Sequence, residues 1–265
     1  MLSDLTVLSR MLRGQPRAER LQDRLEGFYR PQARDYDRFR EKLLHGRQEL
    51  LTSLVVPAGG TVVELGGGTG RNLEYFGPRL ATFADVTIVD LCPSLLTQAR
   101  ARCARQGWEN VRCVEADAAL FRPPQPVDCV YLSYSLSMIP DWFLAVDNAL
   151  AMLKPGGLLG VVDFYVARRD PPPQCQPQGG LTRHFWPWWF AHDGVFPSPD
   201  HLPYLLTRTL PVALSECRGS VPYLPGITAP YYRFIGRKPG AGPEVRRSGS
   251  PEVSWRGVGA LSQRP

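Results

Sequence analysis

Short apolar runs alternate with helical segments between positions 61 and 164, and this alternation restricts the chain to few folds. Apolar runs separated by helices are typical of βαβ units, whose parallel strands are covered by helices on both faces. The pattern therefore predicts an α/β protein with a doubly wound, mostly parallel sheet. The predicted strands are Thr61–Leu65, Val86–Val89, Val111–Val114, Val127–Leu132, Leu158–Phe164 and, near the end of the chain, Pro230–Gly236.

Composition excludes several classes of protein. The net charge of +6 is mild for 265 residues, so it does not by itself indicate a nucleic-acid partner. The six cysteines form no CxxC pair, and the four histidines lack the spacing of metal ligands, so we expect neither disulfides nor a metal. No apolar run approaches the roughly 20 residues that cross a bilayer. We therefore expect a cytoplasmic protein.

Acidic residues follow the first three predicted strands, where open α/β sheets bind ligands. Glu64 lies at the end of the first strand and precedes a glycine loop, Asp90 ends the second, and Asp117 follows the third. Glycine lets the backbone approach a ligand closely, because no Cβ intervenes. A dinucleotide fingerprint would need a third glycine where Arg71 stands, so a nicotinamide dehydrogenase is disfavoured.

The loop sequence E-x-G-G-G-T-G at Glu64–Gly70 resembles motif I of the class I S-adenosylmethionine (AdoMet) methyltransferases. This resemblance implies a seven-stranded Rossmann-like sheet and AdoMet as the methyl donor. Asp90 would accept hydrogen bonds from the ribose diol, and Asp117 from the adenine amine. The predicted cofactor-binding residues are Glu64, Gly66, Gly67, Gly68, Gly70, Asp90, Leu91, Asp117, Ala118 and Ser133.

The segment Asp128–Pro140 matches the fourth-strand segment of the same family, in which the end of this strand lies beside the sulfonium and the methyl acceptor. The resemblance implies that Ser133, Tyr134 and Ser135 line the reaction centre. An acceptor amine must lose a proton before it attacks. By position, the candidates to receive that proton are Tyr134, Asp163 and Tyr36.

Motifs outside the shared core resemble the betaine-lipid methyltransferases. The resemblance covers residues 26–238 and implies three N-methylations of diacylglyceryl-homoserine, giving diacylglyceryl-N,N,N-trimethylhomoserine. It also implies a partner that transfers the 3-amino-3-carboxypropyl group of AdoMet to diacylglycerol. The matching segments are Glu26–Tyr29, Tyr36–Arg47, Val89–Leu95, Ser133–Pro140, Gly156–Phe164, Phe185–Phe190, His201–Leu205, Val221–Gly226 and Ala229–Lys238.

If the acceptor is a lipid, further residues are expected to bind the substrate, the product or the bilayer. Arg40 or Arg47 would pair with a carboxylate, and aromatic faces would attract the cationic product. Basic side chains near the N-terminus and in 168–183 would meet an anionic bilayer surface transiently. No nucleic-acid partner is expected. The predicted substrate-binding residues are Tyr29, Arg40, Arg47, Ser135 and Trp189.

We expect one methyltransferase domain over 26–238, with a substrate lid at about 167–228. An amphipathic segment over 1–25 would precede it, and a disordered tail over 239–265 would follow. Two alternatives remain open: a class I methyltransferase acting on a soluble amine, phenol or quinone, and an inert AdoMet-binding or scaffolding subunit.

Overall fold

A computed structural model of the protein describes residues 19–30, 41–222 and 226–240. The helices are α1 Leu21–Tyr29, α2 Arg47–Ser53, α3 Pro93–Gln106, α4 Trp142–Met152, α5 Gly180–Ala191 and α6 His201–Arg208, with a 3₁₀ helix at Arg71–Thr82. The strands are β1 Thr61–Leu65, β2 Asp85–Asp90, β3 Val111–Glu115, β4 Val127–Ser133, β5 Leu153–Phe164, β6 Leu210–Ser220 and β7 Thr228–Arg237.

The strands form one seven-stranded sheet in the order β3-β2-β1-β4-β5-β7-β6. Strands β1 to β5 are parallel, and β7 is antiparallel to both β5 and β6. The predicted doubly wound, mostly parallel sheet is therefore confirmed. Strand order reverses at β1, whose neighbours are β2 and β4, so the carboxyl ends of these three strands border one crevice.

Two apolar layers cover the sheet. On one face, buried leucines of α2, the 3₁₀ helix and α3 pack with the aromatic rings of α5. On the other face, buried alanines of α4 pack with leucines of α6. Because both faces are covered, the parallel strands are apolar over most of their length, which explains the continuous apolar runs in the sequence.

Two segments differ from the sequence-based predictions. The helical stretch that the sequence predicts from about Tyr36 to Leu54 is not continuous, because residues 42–46 are non-helical and α2 begins at Arg47, after the left-handed Gly46 (φ 79°). Strand β6 occupies part of the predicted lid segment, where Pro211 and Gly219 weaken the strand pattern. Tyr36, Arg40, residues 1–18 and the tail from 241 lie outside the described residues. Within the described ranges, no helix is both long and apolar enough to cross a bilayer.

Candidate active site

A cleft of about 930 Å³, counted out to its open mouth, lies at the carboxyl ends of β1, β2 and β4. Helix α1 contributes one wall, and the glycine loop after β1 contributes another. The lining residues are Leu21, Leu25, Tyr29, Leu44, Arg47, Gly66, Gly67, Gly68, Thr69, Arg71, Asn72, Val89, Asp90, Leu91, Leu95, Ala116, Asp117, Ala118, Ser133, Tyr134, Ser135, Met138 and Ile139.

The glycine loop is packed too closely for side chains. A Cβ on Gly66, which has φ 70°, would lie 2.4 Å from the Cβ of Ser135. A Cβ on Gly67 would lie 2.7 Å from a methyl carbon of Ile88. Contacts this short are not tolerated, so the sequence needs glycine here for its backbone to follow the wall of the cleft.

Asp90 is held by the backbone of the loop that it faces. The amide N–H of Gly68 donates to its Oδ2 across 2.8 Å, and the N–H of Cys92 donates to its Oδ1 across 2.8 Å. Burial raises the pKa of this carboxyl, and these backbone N–H groups oppose the shift. Each oxygen keeps a second lone pair, so the fixed carboxylate can accept two further hydrogen bonds from a diol.

Asp117 lies at the neighbouring end of the cleft. Its Oδ1 accepts a hydrogen bond from the N–H of Ala119 across 2.7 Å, which orients the carboxylate at the turn after β3. Leu91 and Ala118 line the same region and present apolar surface. A flat heterocycle that carries an exocyclic amine fits between these groups.

Glu64 lies beneath the glycine loop and does not line the cleft. The side chain is fully buried and accepts a hydrogen bond from Asn72 Nδ2 across 2.6 Å. In the sheet it stands opposite Tyr131 of β4. Burial raises the pKa of Glu64 to about 7, with Asn72 opposing the shift. The structure gives Glu64 a role in supporting the loop, through Asn72 and not by direct exposure to the cleft.

Arg47 reaches the cleft from α2 and is only 6% exposed. Its guanidinium donates to Leu44 O (3.0 Å), Asn72 Oδ1 (3.3 Å) and Glu41 Oε1 (2.9 Å). A guanidinium has five N–H donors, so these three bonds leave two donors for other partners. Asn72 thus connects the arginine to Glu64.

The carboxyl end of β4 forms the wall opposite the carboxylates. Ser133 Oγ is buried in this wall and has no hydrogen-bond partner among the described residues. Ser135 donates to Leu65 O across 2.8 Å and so closes the loop against β4. Between them, Tyr134 adopts φ 53°, which a bulky side chain rarely does and which marks a strained position.

Helix α1 covers the cleft through polar and apolar contacts. Glu26 Oε2 accepts from the N–H of Ser94 at the start of α3 across 3.1 Å. The hydroxyl of Tyr29 lies 3.2 Å from Met138 Sδ, which joins the helix to the segment after β4. The apolar side chains Leu21 and Leu25, which precede both attachments in the helix, line the cleft.

Residues 62–157 match the family model described as "Methyltransferase domain". The match runs from β1 to the first residues of β5, and so includes the glycine loop, Asp90, Asp117 and the end of β4.

Curated relatives resemble part of the chain. A ubiquinone/menaquinone biosynthesis C-methyltransferase UbiE from Marinomonas sp. is 34% identical over 111 residues, covering 41% of this chain and 44% of that protein. A trans-aconitate 2-methyltransferase from Variovorax paradoxus is 31% identical over 127 residues, covering 48% and 47%. The chain thus spans about half the length of these curated relatives.

The seven-stranded fold also occurs in solved structures. The N-methyltransferase NodS from Bradyrhizobium japonicum, in complex with S-adenosyl-L-homocysteine, superposes with a TM-score of 0.52 at 19% identity. The alignment covers 89% of this chain and 98% of that chain. This likeness shows the class I fold, with its antiparallel strand beside β5.

The residues of the cleft fit AdoMet. Asp90 offers two lone pairs to a diol, Asp117 offers an acceptor beside apolar surface, and Ser133 Oγ is a buried polar atom without a partner in the described chain. The close-packed glycine loop lets the backbone lie directly against a ligand. These features match the ribose, adenine and amino-acid ends of AdoMet.

Like Glu64 and Gly70, the predicted catalytic residue Asp163 and the predicted substrate-binding residue Trp189 do not line the cleft. Asp163 is fully buried and accepts hydrogen bonds from the backbone N–H and hydroxyl of Ser137 (2.9 and 2.6 Å) and from the N–H of Phe164. Burial raises the pKa of Asp163 to about 6. Trp189 on α5 stacks on Phe185 and is not among the lining residues.

Sequence reasoning missed several lining residues. Leu21 and Leu25 were assigned to an N-terminal segment outside the domain, although their four-residue spacing is that of a helix face that must be buried. Asn72 stands two positions after the glycine loop. A polar amide so close to the loop could have been predicted to donate a hydrogen bond to Glu64, as it does in the structure. Met138 lies within the matched segment that ends at Pro140, but only Ser133, Tyr134 and Ser135 of that segment were predicted to line the site.

Proposed function

We propose that the protein is an AdoMet-dependent methyltransferase that methylates a primary amine. The observation that supports this proposal is one cleft in which a glycine loop and two carboxylates face the strained end of β4. When bound, AdoMet supplies an electrophilic methyl group, whose carbon–sulfur bond breaks as the carbon–nitrogen bond forms, leaving a thioether while the amine proton passes to water. The protein contributes position and electrostatic environment.

Different residues of the chain would hold the two ends of AdoMet. Asp90 and Asp117 hold the nucleoside end, so the opposite end of the ligand faces Ser133 and Tyr134. The Tyr134 hydroxyl donates to a backbone carbonyl, and burial raises its pKa well above the usual value, so it is no proton acceptor at neutral pH. Its ring, with that of Tyr29, offers a π-face to a cationic product.

The acceptor that we propose is diacylglyceryl-homoserine, methylated three times. Support comes from the lipid-family motifs that lie beyond residues 62–157, among them Phe185–Phe190 and Ala229–Lys238. The buried Arg47 adds a physical reason, because its remaining N–H donors can receive the homoserine carboxylate. The substrate would come from a separate transferase that moves a 3-amino-3-carboxypropyl group to diacylglycerol.

The described lining provides no free carboxylate beside β4 to remove the amine proton. Asp90 and Asp117 belong to the nucleoside end, and Asp163 is enclosed by Ser137. We therefore infer that the amine enters after losing its proton to solvent. The rate should rise with pH until the amine is mostly neutral, and it should not fall again from titration of Tyr134.

One observation favours a second candidate. The Marinomonas relative carries the name of a ubiquinone/menaquinone C-methyltransferase, so a quinol carbon is an alternative acceptor. A carbon acceptor needs no carboxylate contact, so Arg47→Met should weaken lipid methylation more than quinol methylation.

The test uses the purified protein with methyl-labelled AdoMet and two acceptors: diacylglyceryl-homoserine in vesicles and a demethylated quinol in detergent. We expect mono-, di- and trimethylated lipid in succession, and no labelled lipid with Asp90→Asn. Transfer to the quinol alone would support the second candidate. Binding of AdoMet without transfer to either acceptor would indicate a non-catalytic subunit.

A further inference from the structure

Three large apolar side chains lie exposed on α5 and in the turn that follows it. Leu181 is 83% exposed, Trp188 is 62% exposed and Phe196 is 57% exposed. Leu181, His184 and Trp188 are three and four positions apart, so they share one face of the helix. The opposite face is buried through Trp186 and Phe190. We refer to Leu181, Trp188 and Phe196 as the apolar rim.

The apolar rim stands at the cleft edge of the sheet. The N–H of Phe196 donates to Ser137 O across 2.7 Å, next to Met138, which lines the cleft. Phe190 stacks on Phe164, the last residue of β5, at 4.3 Å between ring centroids. Phe164 in turn contacts the ring of Tyr134 at 4.7 Å. A surface that covers the rim therefore lies beside the reaction centre.

Charges around the apolar rim are balanced. Segment 168–200 contains three arginines and three aspartates and no lysine or glutamate. Arg168 Nε lies 2.7 Å from Asp200 Oδ1, and this ion pair further reduces the positive electrostatic potential of the segment. The basic surface expected from the sequence at 168–183 is thus largely neutralised. Such a face complements a zwitterionic headgroup layer better than a strongly anionic one.

We propose that the apolar rim inserts into the interface of a zwitterionic lipid bilayer. Tryptophan and histidine suit this region, because each combines an apolar ring with a polar atom. This inference rests on the proposed function: a diacyl substrate can keep its acyl chains in the bilayer while its amine enters a cleft that opens beside the rim. The rim then sets the distance between the bilayer and β4.

Binding to phosphatidylcholine vesicles, measured by flotation without AdoMet, tests the inference. The test variant is Leu181→Ser/Trp188→Ser/Phe196→Ser. The control is Val55→Ser/Leu210→Ser/Val212→Ser, which removes three exposed apolar residues at the opposite edge of the sheet. We expect the test variant to partition about tenfold more weakly, since binding scales with inserted apolar area. The control should bind like the parent, and 0.5 M salt should change little.

The possible outcomes separate this inference from the proposed function. Vesicle binding needs no turnover. A parent protein that binds through the rim but does not methylate the lipid would therefore contradict only the proposed substrate and would leave this inference standing. Methylation of a short-chain, water-soluble substrate should be equal in the parent and the test variant. Equal vesicle binding by parent and test variant would overturn the inference. A parent dimer that the test variant converts to a monomer would identify a second copy as the occupant and would also overturn it.

Discussion

The hydroxyl of Tyr134 donates a hydrogen bond to the backbone carbonyl of His45 across 2.7 Å. This bond joins the end of β4 to the segment that precedes Arg47. The His45 ring is itself fixed from the other side, since its Nε2 lies 2.9 Å from Ser220 O and its face stacks on Tyr231. Strands β6 and β7, far from the glycine loop in the chain, thus help hold the strained Tyr134 in place.

Tyr134→Phe should weaken the fold and the reaction together. The variant leaves the His45 carbonyl without its buried donor, which costs about 1–3 kcal/mol. We expect the free energy of unfolding in urea to fall by about that amount, and kcat to fall without a change in its pH profile, because the Tyr134 hydroxyl does not titrate near neutral pH. A pH profile that loses an ionisation would contradict the positioning role.

Tyr232→Phe is the matched control. Tyr232 is also fully buried, and its hydroxyl has no hydrogen-bond partner among the described residues. Removing an unsatisfied polar atom should leave stability unchanged or raise it slightly. If Tyr232→Phe were as destabilising as Tyr134→Phe, the loss in the latter could not be assigned to the bond to His45.

Asp90→Asn should weaken binding of S-adenosylhomocysteine by tenfold or more. An amide keeps one acceptor oxygen, so it cannot accept from both Gly68 and Cys92, and its NH₂ group would face an N–H donor. Calorimetric titration measures the change. Asp85→Asn at the other end of β2 is the control: it removes an exposed ion pair with Arg112 and should not alter affinity. Equal losses in both variants would refute a specific role for Asp90.

The cofactor half of the site follows from local sequence. Glu64, Asp90 and Asp117 come at or directly after strand ends, and parallel strands bring their carboxyl ends to one edge, so strand prediction alone predicts their proximity. The structure also refines this prediction, because Glu64 at the end of β1 lies under the loop and not in the cleft.

The acceptor half depends on contacts between distant segments. From the sequence, Asp163 is a free carboxylate at a strand end. In the structure Ser137, 26 positions earlier, donates two hydrogen bonds to it. The sequence predicts Trp189 as a substrate-binding residue, but in the structure its neighbours Trp186 and Phe190 are the buried residues of α5. Helical spacing predicts that such a helix has a buried face, but not which surface it meets.

Gly66→Ala and Gly107→Ala should differ although both residues have a positive φ. Gly66 has φ 70° and Gly107 has φ 66°, so alanine is strained at both. Only at Gly66 would the new Cβ also collide with Ser135, while nothing lies within 4 Å at Gly107. We expect Gly66→Ala to be less stable than Gly107→Ala by about 1–3 kcal/mol and to lose cofactor affinity. Equal free energies of unfolding would show that the loop can open to accept a methyl group.

His201 should make the fold sensitive to acid. The ring is fully buried against Trp142, with both nitrogens unpartnered among the described residues. Burial lowers its pKa to about 3, although the charge of Asp200 opposes the shift. Below pH 6.5 the unfolded chain therefore binds a proton that the folded chain excludes. This group alone should reduce the free energy of unfolding by about 1 kcal/mol for each pH unit from 6.5 toward 3.

His201→Phe isolates this effect, which the parent protein partly hides. Burial raises the pKa values of Glu64 and Asp163, so those carboxyls hold protons in the folded state and favour folding as the pH falls. The difference between parent and His201→Phe cancels these common contributions. In urea unfolding at pH 7, 6, 5 and 4.5, the advantage of the variant should grow as the pH decreases below 6.5. A constant difference across this range would mean that His201 becomes protonated without unfolding the chain.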